Sequence, residues 1–293
     1  MANLKEIRTR IASVKSTKQI TNAMKMVAAS KLRKAQNAIT QLRPYSSKLN
    51  EILSRLSNEN LYDPNNVFAE KRKEEKILLI TISSNRGLCG PFNTAMAKKT
   101  IELLTGQYKE QFQNGTLSIY TIGTKAGQIL KSKGYKIAKD FSNIYEDLSF
   151  ENTAQIAEEL MANFKNGEFD KIEIVYNRFK NAVVQIPTQE QFLPIKQVDK
   201  KDTDKKVTEY IYEPNRQYIF QKLIPDSLKT QLFTTLTDSF AAEQGARMTA
   251  MHQATDNATE MIRELTITYN KARQATITKE INEITAGANA LNG

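Results

Sequence analysis

There is no tryptophan in these 293 residues, and only one cysteine and one histidine. A single cysteine excludes an internal disulfide and fits a reducing compartment. A single histidine removes most zinc sites and any pair of imidazoles working together. Glycine is absent before Gly87, and after Ser227 only Gly245, Gly287 and Gly293 occur. All seven prolines fall between Pro44 and Pro225. Apolar runs such as Met26–Ala29 and Ile77–Ile80 are far shorter than the ~20 residues a membrane-spanning helix needs. No apolar stretch follows the basic start, so no secretory leader is expected. Few kinds of catalyst survive these subtractions, and the chain is expected to be soluble and to meet a membrane only through partners.

What is present is unevenly spread. The formal net charge is +10, and nearly all of it lies in Met1–Arg43. There, Lys5, Arg8, Arg10, Lys15, Lys18, Lys25, Lys31, Arg33, Lys34 and Arg43 face one acid, Glu6. The stretch Leu228–Leu291 is close to neutral. Two segments free of helix breakers therefore flank a middle rich in them.

The first segment reads as one long helix. Leu4, Ile7, Ile11 and Val14 are spaced 3, 4, 3, and Leu32, Ala35, Ile39 and Leu42 resume the phase. Between them the seam falls on Lys18, Thr21, Lys25 and Ala28, so the buried face is expected to rotate onto Ile20, Met24 and Val27. Pro44 should kink the helix or mark a junction. The last segment opens with Asp226 or Ser227 as N-cap and runs through Leu228, Leu232, Leu236 and Phe240. Its stripe then follows Met251, Ala254, Ala258, Met261, Leu265, Thr268, Ala272 and Ala275. After a phase shift, Ile277, Ile281, Ile284, Ala288 and Leu291 continue it. Such a helix, about 60 residues long, would span about 90 Å. Neither stripe could stay exposed over that length, so the two segments are expected to pair as an antiparallel coiled coil.

The middle alternates strand and helix. Strands are predicted at Ile77–Ile82, Leu117–Ile122, Lys171–Tyr176, Ala182–Pro187 and Thr208–Tyr212. Helices are predicted at Phe92–Leu104, after Gly123-Thr124 through Leu130, and at Thr153–Phe164. This order implies a mainly parallel, Rossmann-like sheet with a hairpin at one edge. The fold class is thus α/β with a long coiled coil. Residues 1–58 form the N-terminal helix, 75–214 the central domain and 226–293 the C-terminal helix.

Candidate chemistry is sparse. Gly87-Leu88-Cys89-Gly90 follows the first strand and precedes a helix, where a phosphate cradle or an activated thiolate is conceivable. But the glycines match neither GxGxxG nor GxxxxGK[ST], no lysine follows to meet a phosphate, and His252 sits on the terminal helix. A tight turn packed under the sheet is the better reading, and His252 reads as a helix-surface residue. The basic start suits a nucleic-acid arm by charge, yet no aromatic precedes Tyr45 to stack on bases. As a mitochondrial transit peptide it has the right bias, but its heptad stripe continues into the fold. A shaft whose charged flank meets an acidic protein surface fits best, because a merely solvated face mixes signs.

Ile277-Thr278-Lys279-Glu280-Ile281-Asn282-Glu283-Ile284-Thr285-Ala286-Gly287-Ala288 resembles, position for position, the C-terminal signature of the gamma subunit of F-type ATP synthases. Lys5-Glu6-Ile7-Arg8, Ile20-Thr21 through Met24, Met26-Val27-Ala28-Ala29-Ser30-Lys31 and Arg43-Pro44-Tyr45 are also similar to that family. So are Arg86-Gly87-Leu88-Cys89-Gly90 with Asn93, Gln244 through Arg247-Met248, Ala254-Thr255-Asp256-Asn257 and Tyr269-Asn270-Lys271-Ala272-Arg273-Gln274-Ala275. Pro91 departs from the pattern, where Gly is expected. The cysteine-bearing regulatory insertion of chloroplast relatives is absent, so thiol control is not expected.

The resemblance implies the central-stalk rotor. In it an antiparallel coiled coil turns inside a ring of alpha and beta subunits, and a Rossmann-like foot joins the epsilon subunit and the c-subunit ring. One copy per complex would couple transmembrane ion flow to ATP synthesis or hydrolysis on beta, with no catalysis, cofactor, metal or nucleic acid of its own. By motif match, Lys18, Met24 and Lys25 would meet the acidic lever loop of beta. Arg247, Arg273, Gln274 and Thr278 would make polar contacts to the catalytic subunits. Ile281, Ile284, Ala288 and Leu291 would form the bearing tip. Tyr210, Tyr212 and Glu213 would face the c ring. The expected location is peripheral, on the cytoplasmic face of a bacterial cell membrane. The alternative is a basic coiled-coil protein, either nucleic-acid-binding or a scaffold, with an α/β domain.

Overall fold

The computed structural model describes residues 4–58, 67–70, 72–195 and 216–291. They form two compact units, one from the chain up to Ala28 and from Met248 onward, the other from Ala29–Arg247. Two helices contribute to both, α1 (Leu4–Asn58) and α6 (Arg216–Leu291).

The first unit is a helix pair. Along α1 a stripe of buried and half-buried side chains runs through Leu4, Ile7, Ile11, Val14, Lys18, Thr21, Lys25 and Ala28. The expected rotation of this face does not occur. Ile20 and Val27 are 60% and 56% exposed, and only Met24 of the second stripe is half-buried. Lysine stems can line a seam while their ammonium groups stay in water, so Lys18 and Lys25 do not interrupt it. The facing stripe on α6 is Met251, Thr255, Ala258, Ile262, Leu265, Tyr269 and Ala272. The predicted Met261, Thr268 and Ala275 are exposed instead. A 3/4 repeat leaves a choice of neighbour at every turn, and Ile262 and Tyr269 take the inside in place of Met261 and Thr268.

Thr21 Oγ1 lies 2.8 Å from Thr255 Oγ1, which fixes the register. Counting antiparallel from that pair sets Ile7 level with Tyr269, and Leu4 level with Ala272. Beyond Ala272 every described side chain of α6 is exposed. Among the described residues, none of α1 lies level with 273–291, which carries α6 on for about 28 Å.

The second unit is built on a five-stranded sheet ordered β3-β2-β1-β4-β5. The strands are β1 (Ile77–Ile82), β2 (Leu117–Ile122), β3 (Lys139–Asp140), β4 (Lys171–Phe179) and β5 (Gln185–Leu193). Neighbours pair in parallel except β4 and β5, which form an antiparallel hairpin. The strand period of two divides the core. Leu78, Ile80 and Ile82 face α5 (Phe150–Lys165) and the Ile224, Leu228, Leu232 and Leu236 stripe of α6. Ile77 and Leu79 face α2 (Phe92–Thr105) and α4 (Thr124–Ser132). A short helix, α3 (Lys109–Gln113), follows α2.

Three expectations shift. The hairpin's second strand starts at Gln185, because Asn181 Oδ1 accepts from the Val183 and Val184 N–H groups and holds that stretch as the turn. α1 runs through Pro44, and α6 starts well before Asp226 with Pro225 inside it. A proline removes one donor and crowds one turn, whereas the apolar stripe beginning at Ile224 is buried throughout. The predicted strand Thr208–Tyr212 lies outside the described residues.

Candidate partner-binding surface

In a Rossmann-like sheet, ligands bind beyond the carboxyl ends of the strands, where strand order reverses, here between β1 and β4. In this chain that place is filled. After β1, Ser84 Oγ donates to Arg86 O at 2.6 Å, and Asn93 Nδ2 donates to Ser84 Oγ at 2.8 Å and Cys89 Sγ at 3.2 Å. The turn Arg86–Gly90 is tight, with Leu88 at φ 63° and Gly90 at φ 59°. Cys89 and Phe92 pack against Ala242 and Ala246 of α6 and against Phe179. Burial pushes the Cys89 thiol pKa up, the opposite of an activated thiolate. Pro91 sits at the head of α2 with φ −79°, a position where its missing N–H costs nothing.

The N-terminus of α4 is equally occupied. Gly123 N–H donates to Ser142 Oγ, Thr124 N–H to Asn85 Oδ1, Lys125 N–H to Ser84 O and Ala126 N–H to Ser83 Oγ, at 3.0–3.1 Å. The donors that would hold a phosphate are committed to the chain itself. Gly123, at φ 105°, also lies so close to Ser83 that a Cβ would fall 2.0 Å from Ser83 O.

Arg247 ties the turn to α6. Its guanidinium donates to the carbonyls of Gly87 and Arg86 and forms an ion pair with Glu243 at 2.6 Å. Gln244 Nε2 donates to the same carboxylate. Burial raises the Glu243 pKa, opposed first by Arg247 and then by Lys31 of α1. Sequence reasoning did not find this clamp, although the i,i+4 spacing of Glu243 and Arg247 was a legible signal.

The residues singled out from sequence fall into four groups. Lys18, Met24 and Lys25 are half-buried on the paired part of α1. Arg247 is buried, with Nη1 and Nη2 both bonded within its own unit. Arg273, Gln274, Thr278, Ile281 and Ile284 are exposed on the single-helix part of α6, whose described span ends at Leu291. Tyr210, Tyr212 and Glu213 lie outside the described residues. His252 is exposed and 3.4 Å from Asp256, a helix-surface pair as expected. Among the described residues no group of histidine, cysteine, aspartate and glutamate could hold a metal ion, and no helix is long and apolar enough to cross a membrane.

The helix pair and its extension offer partners an exposed surface. Ile20, Met26, Val27, Ile267, Ile277, Ile281 and Ile284 are all exposed there. Large apolar residues at such density on one slender element mark a surface that another protein covers.

Known proteins match this arrangement over its length. The ATP synthase family model covers residues 3–291. The ATP synthase gamma chains of Christiangramia forsetii and Flavobacterium johnsoniae are 55% and 51% identical, with full coverage of both chains. Among solved structures, the rotor of the Euglena gracilis mitochondrial ATP synthase superposes with a TM-score of 0.64 at 21% identity, covering 94% of this chain and 98% of that one. The central stalk and c-ring structure of the Tetrahymena thermophila enzyme gives 0.59 at 23% identity, covering 80% and 99%. These two likenesses are of fold; the sequence matches carry the family. Full-length matches of that strength leave one assignment, and the chain belongs to the ATP synthase family, among its gamma chains.

Proposed function

We propose that this chain is the central shaft of an F-type ATP synthase, turning within a ring of alpha and beta subunits and catalysing nothing itself. The carrying observation is the stretch of α6 beyond Ala272, a single helix with Ile277, Ile281 and Ile284 exposed. Most helical stability in proteins comes from packing of an apolar face, and these exposed apolar side chains call for a surrounding sleeve. The occupied crevice and the committed α4 donors support a non-catalytic role. The basic face of α1 supports a partner rich in carboxylates. On this reading the sheet domain joins the epsilon subunit and the c ring, so the chain is peripheral to the membrane.

Coupling then has a physical form. Each beta site interconverts between conformations of different nucleotide affinity, and a rotating shaft biases the three sites in turn. Ion flow through the membrane ring drives the shaft during synthesis, and hydrolysis drives it in reverse.

Purification from native membranes through a tag on this chain tests the proposal. Alpha and beta subunits in threefold excess, with ion-driven ATP synthesis in the reconstituted material, are expected. The isolated chain should give no heat with ATP or NAD in calorimetry. A chain that purifies alone, or hydrolyses ATP unaided, would overturn the reading.

A further inference from the structure

At the amino ends of the strands, opposite the Arg86–Gly90 turn, the sheet domain carries a second surface. α4 ends in a cap where Gly134, at φ 88°, lets Gly134 N–H reach Lys131 O and Tyr135 N–H reach Leu130 O, both at 3.0 Å. This cap fixes Lys131, Lys133, Tyr135 and Lys136 along one short rim. The Phe112 ring of α3 lies 5.6 Å from the Tyr135 ring, which brings Lys109, one turn before Phe112, to the same rim. All four lysines are exposed, and among the described residues none is in an ion pair. Phe112 is itself 38% exposed.

The kind of cation here discriminates between partners. Between Arg86 and Arg178 the chain has ten lysines and no arginine. Protein interfaces favour arginine, which binds carboxylates through a rigid fork, and are depleted in lysine. Lysine is a mobile point charge suited to a diffuse anionic surface, tyrosine settles at the headgroup level of a bilayer, and phenylalanine buries its ring at the headgroup/acyl boundary. The α4 dipole accounts for Lys131 and Lys133 in part, but not for Lys109 or Lys136.

We propose that Lys109, Lys131, Lys133 and Lys136, with the Phe112–Tyr135 ring pair, form a contact surface for the anionic headgroups of a phospholipid bilayer. The proposal rests on the reading that the sheet domain stands on the membrane ring. It adds a direct lipid contact to a chain otherwise held at the membrane by other proteins.

The test uses the soluble assembly of this chain with its alpha, beta and epsilon partners, in which the basic α1 is enclosed. Sedimentation with vesicles one-third phosphatidylglycerol in phosphatidylcholine is compared with pure phosphatidylcholine. The parent assembly should partition onto the anionic vesicles alone and be released at about 0.5 M salt. The triple variant Lys131→Gln, Lys133→Gln, Lys136→Gln should partition about tenfold or more weakly, each lysine near an anionic leaflet contributing to the attraction. Its ATP hydrolysis in solution and its melting temperature should match the parent's, because all three side chains are exposed. Equal partitioning of variant and parent overturns the proposal, as does a parent indifferent to lipid charge. A variant that loses a subunit would reveal a protein interface in its place. A chain that never enters the assembly would defeat the rotor reading, a result plainly distinct from the others.

Discussion

Thr21 and Thr255, 234 positions apart in sequence, meet through their hydroxyl oxygens at 2.8 Å in the middle of the helix pair. Each hydroxyl has one proton, so one of the two donates to the other, and the one that accepts donates to a backbone carbonyl of its own helix, Lys18 O for Thr21 or Met251 O for Thr255. Small polar side chains let the two helices approach while every hydroxyl keeps a partner. The seam therefore has a defined register without a continuous row of large apolar residues.

That register is testable by cross-linking. Thr21→Cys with Thr255→Cys should form a disulfide under mild oxidation, since the hydroxyl oxygens, 2.8 Å apart, stand where the two sulfurs would meet. Thr21→Cys with Thr278→Cys should not, because residue 278 lies beyond the end of α1 in this register. Native Cys89 is buried and should stay out of the reaction. Non-reducing electrophoresis reads both outcomes, and a bridge only in the second pair would refute the antiparallel count.

The Glu243–Arg247 clamp predicts both a magnitude and a pH dependence. Arg247→Ala leaves a buried carboxylate and two turn carbonyls without their donor, and should cost about 3–5 kcal/mol. Because burial raises the Glu243 pKa above the usual 4.5, the folded state holds this proton more tightly than the unfolded state. Stability from this group is present at low pH and declines as pH rises through the raised pKa. Denaturant titrations of the parent and of Glu243→Gln should show that decline only in the parent, above the ordinary glutamate range. A difference between them that does not change with pH would contradict it.

The sequence and the structure agree most closely where periodicity was strong. The 3/4 repeat from Leu4 to Val14 and from Leu32 to Leu42 located the inner face of α1, and the β-branched runs located β1 and β2. The seam through Lys18 and Lys25 was misread because hydropathy counts a lysine by its charge and ignores its stem. Pro225 concealed the start of α6, since a local breaker says nothing of the burial on either side of it. The Arg247 clamp was invisible as a clamp, because it joins α6 to a turn 160 positions earlier. The partner surface was legible only as motif, not as geometry.

Gly123 supplies a sharper stability test. Its φ of 105° is unfavourable for any side chain, and an added Cβ would sit 2.0 Å from the backbone oxygen of Ser83. The Gly123→Ala variant should lose about 3–5 kcal/mol from combined strain and overlap. The control Gly115→Ala, with φ 71° and nothing within 4 Å, should lose only about 1–2 kcal/mol. Thermal unfolding of the two variants side by side separates steric overlap from backbone preference.

The charge of α1 bears most directly on coupling. An exposed ion pair is worth about 0–1 kcal/mol, so reversing Lys18, Lys25 or Lys31 singly should change ATP synthesis little. Reversing all three to glutamate should impair ion-driven synthesis severely, because on the proposed reading several weak attractions to an acidic partner surface become repulsions together. Lys31 has a second role, since its ammonium helps hold Glu243 ionised. The double variant Lys18→Glu, Lys25→Glu separates the effects, because neither lysine is among the groups that shift the Glu243 pKa. If the double variant loses coupling while its unfolding midpoint stays at the parent value, the deficit lies in the contact with the sleeve. Wild-type synthesis in the triple variant would mean that the basic face of the shaft plays no part in transmitting torque.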